Sequence, residues 1–427
     1  MIIYIGLDDF DSRQIGCTTH LAYILIKGLN NLGCKVIGYP ALIRLNPDVP
    51  WKTRGNGAVS IKVRIHKSKF DTVISYIYNT CKGYYALEEN TNPGVVILRG
   101  EYIPKHFSNL YISTLTRLVS LSEVLSLLNK FKKRVLYWAF GSGQGLVGAT
   151  AAIGARRLLK DYTYELLVYR PLNVRYEERR VSVLNLDEAW SKTFANIDYE
   201  TGRLLITPHG LDPVILGLRG ESPSLLKKVY VNCIKVDEDV VGMIIFITNQ
   251  GTFANYMFTA SDKCVATIDL YTQVCISGVI KDINVIEGGH MNIKVEDHSS
   301  VIDVMIYEPS GRIKEFTSVL HKGDEITVYG GVKPKMKRYT VNTQMIYLKR
   351  SYWHTAESTP ICPKCGVSMA SDGRGKGFKC KKCGYRIRID LKLRIGINIY
   401  SPEVLLPPLR SIRHLTKPLK RIGREKS

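Results

Sequence analysis

Apolar and polar positions change rhythm along this chain, and each rhythm predicts a different kind of element. The uninterrupted run Ile2-Ile3-Tyr4-Ile5 predicts a buried strand over 2–7, followed by helical spacing over 18–32, a turn at Gly33 and a strand over 35–44. A loop rich in Pro, Gly and Asn spans 45–57; beyond it the pattern gives a strand at 58–66, a helix near 68–82 and leucine-spaced helices within 110–131. Gly141-Ser142-Gly143-Gln144-Gly145 then opens a small-residue helix from Ala149 to Arg157, with strands at 163–170, 203–207 and 241–248.

From 263 onward alternation replaces helical spacing. Val274–Lys281, Met291–Val295, Val301–Tyr307, Glu325–Tyr329 and Tyr339–Tyr347 read as strands, with a helical stretch at 310–320 between the third and the fourth. That order is the order of an OB-fold barrel, an architecture that binds oligonucleotides, although a small barrel of purely structural purpose would read alike. The chain thus divides into 1–135, 136–262, 263–350 and 351–427, an α+β multidomain fold whose first unit is α/β.

Composition agrees with this division. A chain of 427 residues suits roughly three to four domains. Sixty Lys+Arg against 38 Asp+Glu leave a net charge of +22. Such an excess points to a polyanionic partner, nucleic acid before acidic membrane; a merely basic, thermophile-like surface is the other reading. The first apolar stretch is broken at Asp8, and no run nears the ~20 residues of a membrane helix, so neither secretion nor a membrane partner is expected. Of ten cysteines, six are scattered and four form two Cys-x-x-Cys pairs, a usage that suits a reducing cytoplasm.

Those pairs, Cys362-Pro363-Lys364-Cys365 and Cys380-Lys381-Lys382-Cys383, have the spacing of a tetrahedral zinc cage with no open position; a redox dithiol pair is the lesser alternative. From Cys362 onward there are seventeen Lys+Arg and four Asp+Glu. Arg374, Lys376 and Phe378 in the loop between the pairs, and Arg413, His414 and Lys417 beyond them, are candidates for RNA contact, with a solvated basic face as the bland alternative.

The densest chemistry lies after the first strand. Asp8, Asp9 and Asp11 crowd where a strand ends and a helix begins near Thr18. Clustered carboxylates repel unless a cation neutralises them, and hard oxygen ligands suit Mg²⁺ carrying a nucleotide; an Asx-rich turn is the competing reading. Thr18 is either a helix cap or a nucleophile placed where a helix N-terminus favours a phosphoryl group. Gly55, Asn56 and Gly57, with Arg54, and the segment Gly141–Gly145 would let backbone approach phosphates, though neither matches a Walker loop. Arg219 in Leu218-Arg219-Gly220-Glu221-Ser222 either binds an anion or sits before a helix start, and Thr248-Asn249-Gln250-Gly251-Thr252 is a polar edge or a plain turn.

Taken in order, these motifs resemble the archaeal tRNA(Ile2) 2-agmatinylcytidine synthetases. The resemblance rests on Ile5-Gly6-Leu7-Asp8-Asp9-Phe10-Asp11-Ser12, Cys17-Thr18-Thr19, Lys52-Thr53-Arg54-Gly55-Asn56-Gly57-Ala58, Arg219-Gly220-Glu221-Ser222, Thr248–Thr252, the four-cysteine ribbon and His414-Leu415-Thr416-Lys417-Pro418. It implies a threonine-kinase-like domain, a ferredoxin-like domain, an OB-fold and a zinc ribbon. It further implies ligation of agmatine to C2 of the wobble cytidine of isoleucine tRNA (CAU anticodon), with ATP consumed to AMP and phosphate, Mg²⁺ at Asp8 and Asp11, and phosphorylation of Thr18. The chain departs from the family at Phe10, where threonine is usual, and over Arg13-Gln14-Ile15-Gly16. Two other functions compete: another ATP-dependent tRNA-modifying enzyme, and a non-enzymatic OB-fold and ribbon protein that binds nucleic acid. A scaffold has no reason to gather the aspartate charges.

Overall fold

The computed structural model describes the chain except residues 13–14, 86–90, 173–180, 184–192, 199–200, 209–212, 258–263, 308–319, 336–337, 351–354, 359–361, 366, 368, 374–375, 388–392, 397–402 and 427. The strand β1 (Ile2–Asp8) is central because it is apolar on both faces: Ile3, Ile5 and Leu7 enter one core, Ile2 and Tyr4 another. Helix α1 (Thr18–Asn31) leads to β2 (Lys35–Val36), β3 (Ala41–Arg44), β4 (Gly57–Arg64), helix α2 (Phe70–Tyr85) and β5 (Gly94–Arg99). The single strand expected over 35–44 is two, separated by Gly38 with φ +67. Helices α3 (Lys105–Thr116) and α4 (Leu121–Lys130), strand β6 (Val135–Ala139), helix α5 (Leu146–Ala155) and β7 (Thr163–Tyr169) follow.

Next come β8 (Val181–Val183), β9 (Val214–Gly220), helix α6 (Pro223–Cys233), β10 (Ile234–Val236), β11 (Gly242–Thr248) and the short α7 (Ala254–Met257). Nine strands form one mixed sheet, ordered β6-β5-β1-β4-β3-β11-β7-β9 with β2 beside β4, and its two halves join through the parallel pair β3–β11. The expectation of a strand at 203–207 is corrected: there is one isolated bridge, Ile197 to Leu204, and the edge is supplied by β9. Strand β6 pairs with β5, and α5 packs on β1, β4 and β5, so the sheet runs on past residue 135.

α5 is apolar all round and buried except at Val147, which is half-buried. Its small residues let it press on the sheet; a Cβ on Gly6 of β1 would stand 2.1 Å from the carbonyl oxygen of Ala149. Leu21, Leu25 and Leu29 of α1 and Val73 and Ile77 of α2 fill the opposite face.

Strands β12 (Gln273–Ile286), β13 (His290–Glu296), β14 (Val301–Ile306), β15 (Glu325–Lys335) and β16 (Arg338–Arg350) form a second sheet. Pairings β12–β13, β13–β14, β14–β16, β16–β15 and β15–β12 close it into a ring, β14–β16 being parallel. The helix expected at 310–320 falls almost wholly on 308–319, outside the described residues. Then β17 (Thr355–Ser358), β18 (Ala370–Ser371), β19 (Phe378–Lys379), β20 (Arg386–Ile387), β21 (Leu393–Gly396) and β22 (Glu403–Leu405) carry the cysteine ribbon. β17 and β21 pair as a stalk, and β22 returns to lie beside β16. Residues 413–421 do not stay with the ribbon, as the grouping 351–427 expected; Leu415 joins a core formed with Ala41 and Ile43 of β3, Tyr111 of α3 and Ala152 of α5.

Candidate active site

A cleft of about 500 Å³ opens where β1, the 45–57 loop, α5, β7, β9 and the segment after the ribbon meet. Asp8, Asp9 and Asp11 line it together with Gly55, Asn56, Gly57, Arg219, Arg413 and His414, so motifs scattered over 406 sequence positions share one space.

The acidic side is built by close approach. Asp8 ends β1 opposite Gly94, and its carboxylate rests on α5 where Gly148 leaves room; a Cβ there would stand 2.0 Å from Asp8 Oδ2. Asp9 adopts φ +62, and its Oδ2 accepts the Asn92 N–H at 3.2 Å. Asp11 Oδ2 accepts the Thr18 hydroxyl at 2.9 Å, while Thr18 Oγ1 accepts the Phe10 N–H at 3.2 Å. The cap reading of Thr18 therefore does not hold: Cys17 occupies the cap position, and Thr18 begins the helix with its hydroxyl turned to Asp11. Thr18 is buried one step behind the lining residues Cys17 and Thr19.

Burial, then repulsion from Asp9 and Asp11, pushes the Asp8 carboxyl well above the carboxylate range. Burial and Asp11 push Asp9 up to about 6. Asp11 is also raised, by burial, against the pull of Arg54 and the Thr18 hydroxyl. These are oxygen donors short of positive charge, and they fit a divalent cation. Among the described residues only the four ribbon cysteines gather three or more ligand atoms all within 4.8 Å of one another, so the aspartates do not form a complete protein cage. Mg²⁺ characteristically shares its ligands with water and phosphate.

The opposite side is basic. Arg44 and Arg219 flank Glu165, at 3.4 Å and 3.2 Å, and Glu165 is 2% exposed between them. Arg219 faces Glu165 across β9–β7, and its Nη1 donates to the Ala195 carbonyl at 2.7 Å. Gln250 completes this cluster: with its amide oriented to suit its neighbours, the nitrogen donates to Glu165 Oε2 at 3.2 Å and the oxygen accepts from Arg219 Nε at 2.6 Å. Asn249 is a bracket, accepting the Arg44 N–H at 2.8 Å and donating back to its carbonyl at 2.9 Å. Arg54 donates to the Ser12 carbonyl, and Gly55 has no room for a side chain; a Cβ would lie 2.9 Å from both Arg44 Nη1 and His414 Nε2. His414 is held neutral, well below the usual imidazole range, by Arg44, by burial, and by Arg219 and Lys52.

Sequence reasoning did not single out Glu165, although a lone carboxylate within Tyr164-Glu165-Leu166-Leu167-Val168 was a signal; Trp51, 54% exposed on the cleft lining, was likewise passed over. Lys417, expected at an RNA contact, is nearly buried, with its ammonium 2.8 Å from Glu425 and 3.5 Å from Asp161. Lys376 is exposed on the ribbon, Phe378 packs against the buried Cys362, Met369 and Cys380, and Arg374 lies outside the described residues. The four sulfurs approach as closely as 3.3 Å for Cys365–Cys380 and 3.5 Å for Cys362–Cys383. Sulfurs around one Zn²⁺ at ~2.3 Å stand roughly 3.8 Å apart, so the ribbon needs little movement to hold the ion.

A two-sided charged cleft joined to a closed barrel and a thiolate ribbon is the architecture of a multidomain enzyme rather than of a single binding module. Family models described as "TiaS TCKD domain", "TiaS FLD domain" and "TiaS C-terminal zinc ribbon domain" match residues 4–69, 143–254 and 359–398. The tRNA(Ile2) 2-agmatinylcytidine synthetase TiaS of Staphylothermus marinus is 37% identical over 451 residues, covering 100% of this chain and 95% of that protein. Among solved structures, a TiaS-tRNA(Ile2)-ATP complex has TM-score 0.76 at 30% identity, covering 99% of this chain and 97% of its own. A TiaS-tRNA(Ile2)-AMPCPP-agmatine complex has TM-score 0.75 at 28% identity, covering 100% and 99%. The chain belongs to the tRNA(Ile2) 2-agmatinylcytidine synthetase family.

Proposed function

We propose that this chain ligates agmatine to C2 of the wobble cytidine of isoleucine tRNA by phosphorylating the C2 oxygen; ATP and one water become AMP and two phosphates, one leaving with the C2 oxygen and the other released by hydrolysis. The observation that carries the proposal is the single cleft that brings Asp8, Asp9 and Asp11 within reach of Arg44, Lys52, Arg54 and Arg219. Cytidine C2 is a poor electrophile; a phosphoryl group on its oxygen makes a leaving group that an amine displaces. Asp8 and Asp11 would hold Mg²⁺, which neutralises phosphate charge when bound, with Asp9 beside them. The backbone at Gly55, Asn56 and Gly57 and the guanidinium of Arg219 form the facing wall, suited to developing phosphoryl charge. Asp11, already accepting the Thr18 hydroxyl, is placed to take its proton if that oxygen attacks a phosphoryl group.

Residues 1–135 are assigned to the threonine-kinase-like part and 136–262 to the ferredoxin-like part, an assignment supported by the family models that match 4–69 and 143–254. The ring of pairings with its parallel β14–β16 contact supports an OB-fold. Barrel and zinc-loaded ribbon then hold the tRNA, offsetting the few kcal/mol needed to unstack the wobble base. No helix among the described residues is long and apolar enough to cross a membrane, and the tRNA substrate points to the cytoplasm.

The test is ATP-to-AMP turnover with unmodified isoleucine tRNA, with and without agmatine, and mass analysis of the wobble nucleoside. A mass gain on that cytidine only with agmatine is expected. Turnover without a modified base would turn the assignment toward another RNA-dependent kinase or ligase, and no turnover toward a binding protein.

A further inference from the structure

The segment after the ribbon is held to the first sheet by an unusual clamp. Gly251, at φ +69, grips it from both ends of one residue: its N–H donates to the His414 carbonyl at 2.7 Å and its own carbonyl accepts from Arg421 Nη1. Phe253 N–H donates to the Leu415 carbonyl at 2.8 Å. Arg421 is 1% exposed, with Nη2 2.8 Å from Asp161 Oδ1, Nε on Glu221 Oε1, and its guanidinium 5.6 Å from the Phe194 ring centre. A guanidinium removed from water is stable only with such complete pairing.

What this clamp secures is a wall of the cleft. Arg413, His414, Thr416 and Pro418 all line it. His414 reaches the glycine loop, where only the lack of a side chain on Gly55 leaves room for its Nε2. Its ring makes no hydrogen bond to any described residue, so its place is set by its backbone.

We propose that Arg421 is a positioning residue for the reaction, clamping residues 413–418 so that His414 sets the shape of the 54–57 loop against the incoming nucleotide. The inference rests on the function proposed above only for its kinetic consequence; the loop geometry is measurable without it.

The experiment uses the full-length zinc-loaded protein and the variants Arg421→Gln, His414→Ala and their double. Amide hydrogen exchange over residues 52–57 is expected to rise about tenfold in Arg421→Gln while β1 and β4 keep their protection. Agmatine-dependent kcat is expected to fall about tenfold or more in either single variant, and the double variant to be no worse than His414→Ala, with the tRNA affinity of Arg421→Gln within about twofold of wild type. Unchanged exchange in the loop, or losses that multiply in the double variant, would overturn the proposal. Should Arg421→Gln not fold, Glu221→Gln keeps the Asp161 pair and serves in its place. A wild-type protein that makes no agmatine adduct would sink the assigned reaction, and the exchange data would still decide the clamp.

Discussion

The Asp9 carboxyl, lifted from 3.8 to about 6 chiefly by burial, holds its proton in the folded protein over a pH range in which the unfolded chain has released it. Stability therefore falls as pH rises through that window, by about 3 kcal/mol for this group alone. A cation bound by the ionised aspartates reverses the loss. Mg²⁺ is accordingly expected to raise the melting temperature clearly at pH 7.5 and hardly at pH 4.5; equal shifts at both would show that Mg²⁺ binds elsewhere. Asp8→Ala is expected to abolish ATP turnover while tRNA affinity stays nearly intact, read by nucleotide chromatography and filter binding. The aspartates and the glycine loop were legible in the sequence because they stand as short, dense motifs. Glu165 was not: a single charge in a strand gains meaning only when folding sets Arg44 and Arg219 on either side of it.

Elements whose faces are both buried were the easiest to read. The apolar run of β1 and the small-residue pattern of α5 follow from their central positions, and both appear near the expected residues. The strand expected at 203–207 is reduced to a single bridge: the Ile206 carbonyl accepts the Gly217 N–H of β9 at 2.8 Å and the Leu205 N–H donates to Asn196 at 2.8 Å, but no ladder continues, while Ile206 enters the core. Helix α5 is also where packing meets chemistry. Gly148→Ala inserts a methyl group against the Asp8 carboxylate, so a destabilisation of about 1–3 kcal/mol in urea unfolding is expected together with loss of ATP turnover. Normal turnover in that variant would show that Asp8 has freedom to move aside.

Across the whole molecule, Asp48 joins three parts. Fully buried in the 45–57 loop, it lies 3.0 Å from Lys333 of β15 and 3.2 Å from Arg413, and it accepts from Gln273 of β12 at 2.7 Å. Asp48→Asn leaves Lys333 and Arg413, both half-buried, with backbone carbonyl acceptors in place of the carboxylate, and is expected to cost about 1–3 kcal/mol, measured by chemical denaturation. The ribbon behaves differently, because its stalk β17–β21 leaves and rejoins the barrel at neighbouring strands. Cys380→Ser is expected to lose zinc and weaken tRNA binding at physiological salt without lowering the stability of the sheet; unchanged affinity would remove the ribbon from the tRNA grip. None of this long-range joining was legible in the sequence, since Asp48 and Arg413 are 365 positions apart.

Arg413, His414, Thr416 and Pro418 follow the sheet, the barrel and the ribbon in the chain, yet they line the cleft that the first eleven residues begin. On the ribosome, that wall is therefore made after every domain it serves. A nascent or prematurely terminated chain carries the aspartates without His414 opposite them, so the cleft is finished only after the barrel and ribbon have been synthesised.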